Sequence, residues 1–255
     1  MEPSVRPDAD PAVKQAQETW MRLWEERRTA VLGALRSRPD EPAVTSFAWK
    51  DAALPGSCAM TFPPAQGRKN HLVLTLGLTQ PGSADDRRPP WEFAVQVAEP
   101  SDWAPDLLYQ LVTLWLKTEW QPEPGLRLPL LFLRDPLGRT WVGLTEDATD
   151  LERVGTLAAA YLWPLPGTPR IEISSGPFGF LSVVGVTPDE EAYATELSTA
   201  HLLLLLARRG VSPALDPFRM SVLSTDAGRA EAERLRRLSR SEAKAELDAL
   251  PGWPA

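Results

Sequence analysis

Apolar positions along this chain change period several times, and each change marks an element. Over residues 12–38, Trp20, Leu23, Trp24, Val31, Ala34 and Leu35 recur at helical spacing, with Glu25, Glu26, Arg27 and Arg28 on the other side. That pattern predicts an amphipathic helix. Between Val44 and Val97 the runs shorten and alternate, chiefly at 71–78 (HLVLTLGL) and 91–97 (WEFAVQV), with the turn-rich QPGSADDRRPP between them. Two strands joined by an exposed loop follow from this. In the second, Trp91, Phe93, Val95 and Val97 share one face and Glu92, Ala94 and Gln96 the other, so the sheet is expected to have one packed and one more open side. Pro100, Ser101 and Asp102 then introduce a helix whose Leu107, Leu108, Leu111, Val112, Trp115 and Leu116 form a continuous apolar face, predicted to lie on the sheet.

Further along, 128–133 and 140–144 read as a strand pair around the turn Arg134-Asp135-Pro136-Leu137-Gly138, and 158–162 as another strand. The stretch 170–210 carries the densest agreement of signals. Ile171 and Ile173 alternate with Glu172, residues 174–179 supply a turn, and 180–186 is an apolar, β-branched run. Thr187, Pro188 and Glu190 then stand where a helix start wants an N-cap, a first-turn proline and a Glu that reaches back to the cap. Residues 218–223 (FRMSVL) read as a last strand, and 226–250, charged with sparse leucines, as one or two solvated helices. No repeat of fixed period is visible.

Composition narrows the chemistry. Twenty-six prolines against 16 glycines favour many rigid connections between short elements. Both ends are balanced in charge, so the net −7 belongs to the middle of the chain, which argues against nucleic acid and favours a basic protein partner. A lone Cys58 makes no internal disulfide or thiolate-rich zinc site, and His71 and His201 stand far apart in sequence, so no metal or cofactor is expected. The polar N-terminus and the short apolar run 202–207 lead to the expectation of a cytoplasmic protein with no membrane span. Ser174-Ser175-Gly176 is not a nucleophile elbow, and the acidic run from Glu146 to Asp150 lacks the glycine and terminal Glu of a calcium loop. No catalytic residue is assigned. Ten tryptophans point instead towards contact with another protein, where Trp is enriched in hot spots.

Four blocks, in order, are similar to the suppressor-of-fused (SUFU-like) domain family: HLVLTLGLTQPG at 71–82, WEFAVQV at 91–97, DWAPDLLYQLVTLWL at 102–116 and GPFGFLSVVGVTPDEE at 176–191. Gly77, Leu78 and Thr79 match the turn closing the family's opening strand, and Glu92 its Gly-x-Glu-x-x-x-Arg strand, from which Trp91 and Gln96 depart. Trp103, Leu107 and Leu108 match its Trp-Pro-x-x-Leu-Leu helix with the proline moved to Pro105, and Pro177, Phe178 and Gly179 begin the most specific block. The resemblance covers about residues 45–223 and lies in apolar scaffolding.

The resemblance, to the bacterial single-domain branch, implies a non-catalytic protein-binding domain, an immunity protein of a polymorphic toxin system that neutralises a cognate toxin stoichiometrically. An adaptor that loads a secreted effector, and an enzyme with an unrecognised carboxylate site, are the alternatives. The expected fold is α+β: a twisted, mixed or mainly antiparallel sheet with helices packed on one side and flanking terminal helices. The expected order is a disordered tail at 1–11, an N-terminal helix at 12–40, the SUFU-like domain at 41–225 and a charged helical tail at 226–255. Trp115, Trp120, Asp135, Trp141 and Phe178, taken from helix ends and loops, are the candidate partner contacts.

Overall fold

Seven strands hydrogen-bond into one mixed sheet in a computed structural model that describes residues 11–38, 42–46, 57–65, 68–79, 90–100, 103–117, 121–129, 157–168, 170–211 and 214–250. The strands are β1 (Ala43–Ser46), β2 (Cys58–Phe62), β3 (His71–Leu76), β4 (Trp91–Val97), β5 (Arg127–Pro129), β6 (Ala159–Pro164) and β7 (Gly179–Val186). Their spatial order is β1-β2-β3-β4-β7-β6-β5. Neighbours are antiparallel except β4 and β7, which run parallel with Ala94 opposite Ser182. Two antiparallel halves therefore meet along one parallel seam, and α2 (Trp103–Lys117), β5 and β6 fall within the connection between them.

Alternation along the strands sorts the core into layers. Ala59, Val73, Phe93, Val95, Ala160, Leu162, Leu181 and Val183 pack with Leu107, Leu108, Leu111, Val112 and Trp115 of α2, as the apolar stripe of that helix predicts. Alternate positions of the same strands belong to two other clusters. Cys58, Met60, Phe62, Leu72, Leu74 and Leu76 pack with Val31 and Leu32 of α1 (Pro11–Leu35) and with Ile171 and Phe178. Tyr161, Trp163, Val184 and Val186 pack beneath α3 (Pro188–Glu196), α4 (Thr199–Arg208), α5 (Asp226–Leu235) and α6 (Arg240–Asp248). Helices thus cover both faces where the sequence suggested one, because β7 is buried at every residue and has no side that water can occupy. For the same reason Glu92, expected on the more open side, is buried.

Three local expectations are revised. Residues 218–223 do not add a strand. Val222–Ser224 is a single 3₁₀ turn, and the Val222 N–H that a sheet partner would need goes to the Glu190 carboxylate at 2.8 Å. Ile171 makes only an isolated bridge with Phe178, so the strand expected there is a short pinch. The charged segment after residue 226 is not simply solvated: Leu235, Ala243 and Leu247 are buried against the apolar Leu202–Leu206 stretch of α4. The second member of the strand pair expected around residue 140 lies outside the described residues. Among the described residues, no helix is long and apolar enough to cross a membrane.

Candidate functional site

Two buried carboxylates dominate the polar chemistry of the described residues. The first fills the gap where β3 and β4 part. Their ladder ends at Leu74–Ala94, and beyond it the Thr75 hydroxyl accepts the Phe93 N–H (2.8 Å) and donates to Glu92 Oε2 (2.7 Å). Glu92 Oε1 accepts the N–H groups of Gly77 (3.0 Å) and Thr79 (3.1 Å) and the Thr79 hydroxyl (3.0 Å). Gly77 makes this possible. Its φ of 110° is one that side chains rarely adopt, and a Cβ there would press on Ser57 Cα at 3.2 Å.

Arg27 of α1 closes the network from the other side, donating to the Thr79 carbonyl (2.7 Å) and to the Ser175 hydroxyl (3.1 Å). Its neighbour Glu26 accepts from the Ser174 N–H (2.7 Å) and hydroxyl (2.5 Å). Burial pushes the Glu92 carboxyl above the ordinary range, and the hydrogen bonds from Thr75 and Thr79 and the charge of Arg27 offset this only in part. The arrangement is a clamp: α1, the Gly77–Thr79 turn and the Ser174–Ser175 loop are tied to one hub. Ser174 and Ser175 hold the helix, and Glu92 is closed off from solvent.

The second carboxylate, Glu190, begins as the helix-start residue that the sequence announces and accepts the Thr187 N–H at 3.0 Å. It also binds the Arg219 guanidinium in a two-pronged ion pair, with Nη1 to Oε1 at 2.7 Å, and accepts the Val222 N–H. Arg219 donates further to the Gly185 carbonyl at 2.8 Å. Alongside, Asp189 accepts from the hydroxyls of Thr187 (2.6 Å) and Ser221 (2.6 Å). Burial works against the Asp189 carboxylate, but those hydrogen bonds outweigh it and hold its pKa below the usual carboxylate value.

The result is a pinned segment. Leu215 N–H bonds the Gln96 carbonyl at 2.7 Å, Pro217 is buried, Asp216 accepts the Phe218 N–H at 2.9 Å, and Val222 is held at the far end. With Arg219 turned inward, its neighbours face solvent: Phe218 is 61% exposed and Met220 75%. Val44 on β1, 51% exposed, is the third large apolar side chain left open among the described residues.

Of the candidate contacts chosen from sequence, the two described ones lie in the core. Trp115 is 8% exposed within the α2 layer, and Phe178 is 1% exposed, edge-on to Phe180 with ring centroids 5.8 Å apart. Both side chains support the core and present little surface to a partner, because Trp115 packs into the layer between α2 and the sheet and Phe178 into the layer beneath α1. Trp120, Asp135 and Trp141 lie outside the described residues, as does the acidic run from Glu146 to Asp150. His201 is buried between the Ser198 hydroxyl at Nδ1 (2.7 Å) and the Leu238 carbonyl at Nε2 (3.1 Å). A carbonyl only accepts, so Nε2 carries the proton, and the ring joins the start of α4 to the turn before α6. Among the described residues, no three His, Cys, Asp or Glu side chains gather as metal ligands would.

The chain has the suppressor-of-fused-like fold. It superposes on a chain of a Sufu–Fu complex crystal structure with a TM-score of 0.59 at 14% identity, covering 79% of this chain and 92% of that one. For Drosophila Suppressor of Fused the TM-score is 0.60 at 15% identity, over 83% of this chain and 53% of that longer one. A putative SUFU homolog from Neisseria gonorrhoeae FA 1090 matches with a TM-score of 0.52 at 15% identity, over 77% and 97% of the two chains. No family model matches the sequence, and no curated protein does either. At such identities the agreement concerns backbone architecture.

Proposed function

We propose that this chain is a non-catalytic protein-binding domain whose partner is a basic protein, and that it serves as an immunity protein neutralising a cognate toxin by stoichiometric occupation. One observation carries the reading. The buried carboxylates Glu92 and Glu190 are surrounded by donors from the chain itself and kept from solvent, while Phe218 and Met220 are held out in water on an ordered backbone. Chemistry needs ionisable groups within reach of a substrate, and recognition needs exposed apolar anchors on a fixed frame. The net charge of −7 adds long-range attraction for a basic partner. A solved relative named as a Sufu–Fu complex lends support, since that protein is seen bound to another.

Coexpression with the product of the adjacent gene tests the proposal. A one-to-one complex on size-exclusion chromatography, together with relief of that protein's growth inhibition, is the expected outcome. A complex that leaves toxicity unchanged favours an effector-loading adaptor instead. No complex, or turnover of a small substrate by the purified chain, defeats the reading.

A further inference from the structure

We infer that the segment from Asp216 to Ser221 is the docking point of this protein, and that it inserts Phe218 and Met220 into an apolar pocket rimmed by Lys and Arg on a basic protein partner; the inference rests on the protein-binding reading above. Scattered apolar side chains on a surface are ordinary, and Val44 alone on β1 is such a case. Phe218 and Met220 differ in being two residues apart on one stretch whose intervening side chain is drawn into the protein by an ion pair. Burying that pair costs desolvation free energy, so its use here calls for a reason. What it secures is a fixed backbone, turned at Pro217 and Phe218, from which both apolar side chains reach solvent.

Order at both ends strengthens the case. The upstream end is bound to Gln96 of β4, the downstream end to Glu190 of α3, and Ser221 to Asp189. A partner meeting this segment has little chain entropy left to remove, which is the condition under which small apolar anchors bind well. The paired chemistry also suits recognition: Phe supplies a rigid face, and Met adapts to an irregular pocket.

Charge selects the partner. Asp216 and Asp189 are exposed on either side of the pair, while the local cation Arg219 points inward against Glu190. An apolar pair between carboxylates is repelled by nucleic acid and by acidic protein surfaces, and it complements a pocket edged with Lys and Arg.

The experiment compares the wild type, Phe218→Ser/Met220→Ser and Asp189→Asn/Asp216→Asn, with the adjacent gene's product as probe in calorimetry and stopped flow. Thermal melts check that both variants keep the wild-type fold. Loss of the apolar pair is expected to weaken the complex by at least about thirtyfold. Loss of the two carboxylates is expected to slow association by about tenfold at low salt and to flatten its salt dependence. A wild-type complex that the Ser variant forms equally well overturns this inference and leaves the protein-binding reading intact. Absence of a wild-type complex overturns both. Binding of the wild type to phosphatidylcholine vesicles, abolished in the Ser variant, would replace the protein pocket with a lipid surface.

Discussion

Arg27 and Glu92 hold opposite sides of Thr79: the guanidinium donates to the Thr79 hydroxyl at 3.3 Å, and that hydroxyl donates to the carboxylate at 3.0 Å. A cation on the first helix and an anion in the fourth strand are thereby joined through one threonine, all within the protein.

Removing one end of this link leaves the other charged group buried without its counterpart. Glu92→Ala should lower stability by about 3–5 kcal/mol, and Glu92→Gln, which keeps the shape and part of the hydrogen bonding, by about 1–3 kcal/mol. Arg27→Met should release α1 specifically. Hydrogen exchange is expected to speed up in residues 26–35 of that variant while the sheet stays protected; uniform acceleration across the protein would contradict the clamp.

The two glutamates of the clamp give opposite pH signatures. Hydrogen bonds from Ser174 hold Glu26 below its usual value of 4.5, so its contribution is complete above that pH and is lost as pH falls through the lowered folded value. Glu92 is raised above 4.5 by burial, so the folded state keeps a proton that the unfolded state has shed, and stability falls as pH rises through that window. Urea midpoints measured from about pH 3 to 8 should lose the acid-side decline in Glu26→Gln and the decline above 4.5 in Glu92→Gln. Identical profiles for both variants and the wild type would refute these assignments.

Ser182 lies opposite Trp163 on the neighbouring strand, and its hydroxyl and the indole N–H are both buried without a hydrogen-bond partner. An unsatisfied buried hydroxyl is a liability that alanine removes with little loss of volume. Ser182→Ala is therefore expected to stabilise the protein by about 1 kcal/mol, read as a higher urea midpoint at unchanged slope.

Cys58 sits in β2 with its thiol pushed up to about 12, first by burial and then by the charge of Glu92. Thiolate is the reactive form, so native protein should resist iodoacetamide at pH 8 and unfolded protein should react within minutes. Rapid labelling of the folded chain would show that the α1 side of the sheet opens.

What could be read from sequence was local. The start of α3 at Thr187 and Pro188, the stripe of α2 and the alternation of β4 each carry their signal within about ten residues, and each element formed where that signal stands. The pairing of Glu190 with Arg219 was not legible, because 29 residues separate them and neither has a neighbour in sequence that reveals it. The same blindness turned Phe218, Arg219 and Met220, an out-in-out series, into a predicted strand. That alternation comes from an ion pair drawing one side chain inward, and periodicity alone cannot distinguish this from a ladder. Phe178 and Trp115, picked as partner contacts, are buried for the converse reason: aromatic identity signals contact, and only tertiary packing says whether the contact is internal.

Synthesis from the N-terminus gives the parallel seam a temporal meaning. By the time β4 has left the ribosome, β1–β4 can already form a meander, yet the outer edge of β4 has no mate until Gly179–Ser182 emerges, and the fastening of α1 waits on Ser174 and Ser175. For that interval the nascent chain displays an open strand edge, and its helical cover is latched only through Arg27 and Thr79. Closing the middle of this molecule is therefore a late, long-range step, and until it happens the bare edge of β4 is where a foreign strand can add.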